Sequence, residues 1–222
     1  MTLYQRLAEQ VAGWRAKGYP TAETSALAEI LDYQRDPATG QSRYLREAQR
    51  RALETYWYLR LGLGTPHILD LYRRLYPKPR ELREALGLTA EALRDVVEDV
   101  GMDGLLDRIR TDDDFVRDFK LEAVRETLTL DYPSYILALA MGAGKTALIG
   151  AIVATEFALA QEHPDGPFVQ NALVFAPGKT VLESLRELAA VPYDRILPPR
   201  LHKAFATSVK LTFTRDGERD IP

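Results

Sequence analysis

The chain has 222 residues, 46% of them hydrophobic, with a formal net charge of -3 and a pI near 5.7. That is enough apolar material for a real core, and too little positive charge for a binder that holds nucleic acid by overall charge alone. The absence of cysteine excludes disulfides, thiolate metal sites and cysteine nucleophiles, while no apolar leader and no run of 18 apolar residues is present, so a cytoplasmic protein with no membrane partner is expected.

Leu3, Leu7, Val11 and Trp14 recur at helical spacing and stop at Gly18-Tyr19-Pro20. A second helix is predicted through Leu27, Ile30 and Leu31, ending near the turn-forming Asp36 to Gly40. A third runs from about Tyr44 to Leu61 and is closed by Gly62, Gly64 and Pro66. Residues 1–62 are thus expected to form an N-terminal helical part.

Residues 63–130 read as a helical insertion. Thr89 is expected to cap a helix ending at Gly101, and Asp112-Asp113-Asp114 to open another by placing carboxylates at its positive end. Residues 81–120 carry 12 acidic against 6 basic side chains, an excess that repels a phosphate backbone and argues against nucleic-acid reading by this block. His67, His163 and His202 show no metal-ligand spacing, and each is expected in a loop or on the surface.

From residue 131 the pattern changes. Ser134 to Ala140 is an apolar, β-prone run that enters Met141-Gly142-Ala143-Gly144-Lys145-Thr146, followed by an almost wholly apolar helix to Ala160. This order is what a phosphate-binding loop requires. Glycines let backbone N–H groups turn inward around an anion, the helix N-terminus adds partial positive charge, Lys145 reaches the terminal phosphates and serves as the catalytic cation, and the Thr146 hydroxyl is a ligand for Mg2+. One departure from the strict pattern is Leu139, which stands five positions before Gly144 where small residues are usual.

After the loop His163 to Pro167, Asn171 to Ala176 reads as a second strand. Strand, helix and strand predict a right-handed parallel unit, and the fold expected is therefore α/β, a P-loop (RecA-like) parallel sheet over residues 131–222 that is incomplete and preceded by the helices. Pro177-Gly178-Lys179-Thr180 ends the second strand, and Thr180 with Glu183 has capping-box spacing. Val209, Leu211 and Phe213 alternate with polar residues as a half-buried strand before an Asp216-Gly217 turn.

The stretch Ala172 to Leu185 resembles motif Ia of superfamily 2 helicases, particularly the helicase subunits of type III restriction enzymes, and Met141 to Thr146 resembles motif I of that branch. Glu47-Ala-Gln49-Arg-Arg-Ala-Leu-Glu54 is similar to its adenine-reading helix. The resemblance implies that Gln49 and residues Met141 to Thr146 bind ATP with Mg2+. It implies further that Pro177, Gly178, Lys179 and Thr180 touch the backbone of double-stranded DNA, and that a methyltransferase (modification) subunit is a partner.

Two departures accompany the resemblance. The Gln helix stands about 95 residues from the loop, and no Asp-Glu strand follows motif Ia, so the chain is expected to be the first part of a DNA-dependent ATPase of a restriction or defence system, inactive in hydrolysis by itself. A small P-loop phosphotransferase and a nucleotide-binding remnant that hydrolyses nothing are the competing expectations.

Overall fold

The computed structural model describes residues 1–174 and 183–213, and they divide into two compact units. One comprises Met1–Gly13 and Leu63–Leu137, the other Trp14–Gly62 and Ala138 onward.

The first unit is built from the start of α1 (Leu3–Ala16), α4 (Ile68–Leu75), α5 (Pro79–Ala85), α6 (Glu91–Thr111), α7 (Asp113–Phe119) and α8 (Glu122–Thr129). Leu88, Leu105, Leu106 and Ile109 are fully buried at its centre, and Leu3 of α1 packs against the same core. Local chemistry sets the helix ends. The His67 Nδ1 accepts from Leu69 N at 3.2 Å while its Nε2 lies 3.1 Å from the Leu130 carbonyl. One neutral tautomer, with the proton on Nε2, satisfies both. Pro79 opens α5, and the Asp112 carboxylate caps α7 by accepting from Phe115 N at 2.9 Å. The helix expected to end at Gly101 does leave helical geometry there, at φ of +75° and ψ of 175°, and a second helix runs from that kink to Thr111. The N-cap of the helix before the kink is Ala90, not Thr89.

In the second unit α9 (Lys145–Glu162) is surrounded by α2 (Ala26–Tyr33), α3 (Glu47–Trp57), a 3-10 turn at Arg186–Ala190 and α10 (Pro199–Ser208). A π turn, Tyr58–Gly62, extends α3. Ala151, Ala154, Thr155 and Leu159 of α9 are fully buried, and Gly150 lets α9 approach closely, since a Cβ there would meet Leu188, Val191 and the Tyr193 hydroxyl at 3.3 to 3.4 Å.

The parallel sheet is not present: the described residues hold no sheet, and their only β contact is an antiparallel bridge between Arg35 and Ser42. The run Ser134–Ala140 forms neither helix nor strand but keeps the alternating exposure of a strand. Tyr135, Leu137 and Leu139 are half-buried, whereas Ile136, Ala138 and Ala140 are exposed, Ile136 to 91%. It has no ladder partner, and neither do residues 171–174 or 209–213 among the described residues. The physical reason is that β propensity describes fit to a pleated surface, whereas a strand exists only when neighbours take its N–H and C=O groups. An apolar helix likewise demands cover on several sides without specifying a sheet, and α9 takes that cover from helices. The Asp216-Gly217 turn lies outside the described residues.

Two buried carboxylates fix α3. Glu54 is fully buried and receives Arg15, Arg50 and the Tyr19 hydroxyl, the last at 3.0 Å. Glu156 of α9 receives Tyr56, Arg60 and, at 2.9 Å, Val169 N. Burial, with these carboxylates adjacent, pushes the Tyr19 and Tyr56 hydroxyls well above the ordinary tyrosine range. Removing Glu54 leaves Arg50, which is 2% exposed, with Glu47 alone for its Nη2 and nothing for its Nη1, and takes the carboxylate from Arg15 and Tyr19 as well. Glu54→Ala is expected to lower the stability of this unit by about 3–5 kcal/mol. Urea unfolding followed by tryptophan fluorescence measures it selectively, because Trp14 and Trp57 both belong to this unit.

Candidate functional site

Residues Met141–Thr146 form a turn that enters α9. Gly142 and Gly144 adopt φ of +72° and +75°, left-handed conformations that cost a side-chain-bearing residue but not glycine. α9 starts on Gly144 with no side-chain cap and no acidic residue in its first turn. Its leading N–H groups therefore remain donors in search of an acceptor, at the positive end of an 18-residue helix. Met141, Gly142, Gly144 and Lys145 are exposed, Ala143 and Thr146 half-buried. The Lys145 ammonium folds back and donates to the Ala140 carbonyl at 3.2 Å, a single neutral contact.

The N-terminus of α3 lies directly on this loop. Gln49, 4% exposed, donates through Nε2 to the Gly144 carbonyl at 2.7 Å, while its Oε1 accepts from Arg46 N at 2.7 Å. Arg46 donates through Nη1 to the Gly142 carbonyl at 3.2 Å. The approach is so close that a Cβ on Gly144 would stand 2.4 Å from Gln49 Nε2. Two segments 95 residues apart in the chain thus meet through one side-chain amide.

Behind this contact α3 and α9 are locked together. Trp57 donates to the Thr155 hydroxyl at 3.1 Å, and the Glu54 and Glu156 clusters described above hold either side of α3. Glu47, the first residue of α3, receives Arg50 and Arg51 at 2.8 to 2.9 Å, with Arg35 at 3.6 Å. The hydrogen bonds from Arg50, then Arg51, hold its carboxyl down at about 2.

The candidate DNA-contacting residues Pro177, Gly178, Lys179 and Thr180 lie outside the described residues, as does half of the Thr180–Glu183 capping box. Among the described residues no three His, Asp or Glu side chains gather as a metal site. Thr146, expected to be the Mg2+ ligand, is half-buried at the loop; a cation there would be held mainly by phosphate oxygens and water. A cleft of about 560 Å³ beside Arg6, Tyr72 and Tyr76 belongs to the first unit. Its charged side chains are already paired, Arg6 with Glu81 and Arg80 with Glu84, so the loop is the better candidate site. No described helix is long and apolar enough to cross a membrane.

Sequence reasoning did not single out Arg46, Arg50, Glu54 or Glu156. The spacing Arg50-x-x-x-Glu54 is an ion-pair signal in the sequence, but only the fold reveals that it is buried. The chain finds no match among family models, curated proteins or solved structures.

A depressed carboxyl stabilises the folded state at pH values above its unfolded pKa, and that contribution is lost as pH falls through the folded value. For Glu47 the window runs from about 4.5 down to about 2. Wild-type stability is expected to fall more steeply between pH 5 and pH 2 than that of Glu47→Gln, measured by urea titration of tryptophan fluorescence at each pH.

Proposed function

We propose that this chain binds ATP with Mg2+ through Met141–Thr146 and acts as the ATP-binding part of a DNA-dependent ATPase. The observation that carries the proposal is the contact between Gln49 and Gly144. The resemblance to superfamily 2 helicases picks out both segments separately, and a functional pairing gives a reason for two stretches so far apart in sequence to meet. The loop has the chemistry that a polyphosphate needs: uncapped helix N–H groups, left-handed glycines and an exposed lysine whose present contact is one neutral carbonyl. The loop, the helix behind it and the helix laid across it offer this chemistry without a sheet.

Lys145 is the residue to remove. An ammonium that exchanges a carbonyl for phosphate oxygens gains a charge-assisted contact, so Lys145→Ala is expected to weaken Mg-ATP binding by at least about tenfold. Titration calorimetry on the full chain measures this, and unchanged affinity overturns the site. The DNA part of the proposal has its own test at Lys179. If that side chain meets a phosphate, Lys179→Ala lowers affinity for duplex DNA alike on all sequences and reduces the salt slope by about one counterion. A change in sequence preference overturns the backbone role.

A further inference from the structure

We infer that Gln49 is a positioning residue for the phosphate loop, holding the Gly144 carbonyl so that the following N–H faces the ligand, and that it does not read the base. This rests on the nucleotide-binding proposal above and concerns how the same site chooses its ligand.

The side-chain amide of Gln49 has an oxygen acceptor at one end and an NH2 donor at the other. Both ends are engaged at 2.7 Å, the oxygen by Arg46 N and the NH2 group by the Gly144 carbonyl. Reading adenine would take the same two ends. Gln49 would have to release both backbone groups, in a side chain only 4% exposed, and leave the Arg46 N–H at the start of α3 without its partner.

What the present contact does follows from peptide geometry. The peptide bonds here are trans, so the C=O and N–H of one peptide unit point in opposite directions. Drawing the Gly144 carbonyl toward α3 turns the Lys145 N–H away from α3, to the open side of the loop. The Gly144 carbonyl also accepts from Leu148 N at 3.3 Å, so the same oxygen begins the helix and is held by Gln49. Gly144 itself is required twice over, once for its φ of +75° and once because a Cβ would collide with Gln49 Nε2. The Gly142–Ala143 peptide, two units earlier, behaves differently. Arg46 holds the Gly142 carbonyl, but the Ala143 N–H is closed onto the Ala140 carbonyl at 3.2 Å. The N–H that Gln49 aims is therefore that of Lys145.

A residue that acts through the loop affects every ligand carrying the polyphosphate, whatever base is attached. The test compares wild type with Gln49→Glu, which keeps the oxygen facing Arg46 N but sets a carboxylate oxygen against the Gly144 carbonyl, and with Gln49→Met, which keeps length and loses both bonds. Titration calorimetry with Mg-ATP, Mg-GTP and inorganic tripolyphosphate is expected to show each variant losing affinity for all three by the same factor, about tenfold. Loss for ATP alone, with tripolyphosphate unchanged, makes Gln49 a base reader and overturns the inference.

Hydrogen exchange of residues 143–148 without ligand supplies a readout independent of binding. Faster exchange of the Leu148 amide, whose acceptor is the Gly144 carbonyl that Gln49 holds, in variants whose tryptophan unfolding transition is unmoved supports the positioning role; unchanged exchange overturns it. If wild type binds none of the three ligands, the nucleotide proposal falls, and exchange still decides whether Gln49 holds the loop. Should neither variant fold, wild type decides: affinities for ATP and GTP within about threefold are expected, and a preference for ATP of about tenfold or more overturns the inference.

Discussion

The apolar surface of α9 is the constraint on which its unit depends. A helix with alanine, leucine and isoleucine on most sides cannot stand at a surface, and burying it requires neighbours around much of its circumference. α3, α10, α2 and the Arg186–Ala190 turn supply them. Small residues determine how near these neighbours come: Ala151, Ala154 and Ala158 are buried, and Gly150 admits Leu188 and Tyr193 to van der Waals distance. Close packing of this kind leaves little freedom for α9 to rotate or slide. The loop at its N-terminus is consequently held at a defined place against α3.

Such a core could be assembled in several helix registers if it were apolar throughout, and the polar contacts remove that ambiguity. Glu156 sits on α9 among donors from Tyr56, Arg60 and the backbone at Val169, and Thr155 takes the Trp57 indole N–H. Sliding α3 by one turn along α9 would leave Glu156 as a buried charge with the Val169 N–H but without its cation, a far larger penalty than an imperfect apolar contact. Glu54 plays the same part on the other side of α3, tying it to Arg15 and Tyr19. In a buried ion pair the gain over a well-packed apolar substitute is small, whereas mispairing is costly, so these carboxylates act on register more than on total stability.

The helices were legible in the sequence and the sheet was not there to be read. Apolar spacing located α1, α2 and α3, and the turn residues that follow them mark their ends within a few positions, because a helix satisfies its own backbone and needs only local information. Ser134–Ala140 has the composition of a strand and even the alternating exposure of one, yet pairing depends on partners elsewhere in the chain, which no local pattern contains. Gly101 is the opposite case. It interrupts the helix where its glycine predicts, and the helix that follows the kink carries Leu105, Leu106 and Ile109 into the core. At the candidate site the loop itself could be recognised from Gly142, Gly144 and Lys145, while the function of Gln49 could not. From sequence its amide was free to face a base; only the fold places the Gly144 carbonyl in front of it.

The charge arrangement around the loop bears on what it can hold. The chain is acidic overall, and most described arginines near α3 are paired: Arg35, Arg50 and Arg51 with Glu47, Arg15 and Arg50 with Glu54, Arg60 with Glu156. These carboxylates are thereby neutralised locally. Arg46 and Lys145, in contrast, meet only main-chain carbonyls, those of Gly142 and Ala140. A carbonyl is a partial dipole and cannot compensate a full positive charge as a carboxylate does. The mouth of the loop therefore keeps two cations with unmet demand beside the uncapped end of α9, while the acidic groups that would oppose an anion are held by other arginines. In a protein of net negative charge, the proposed binding of a polyphosphate would depend on that local inversion of sign.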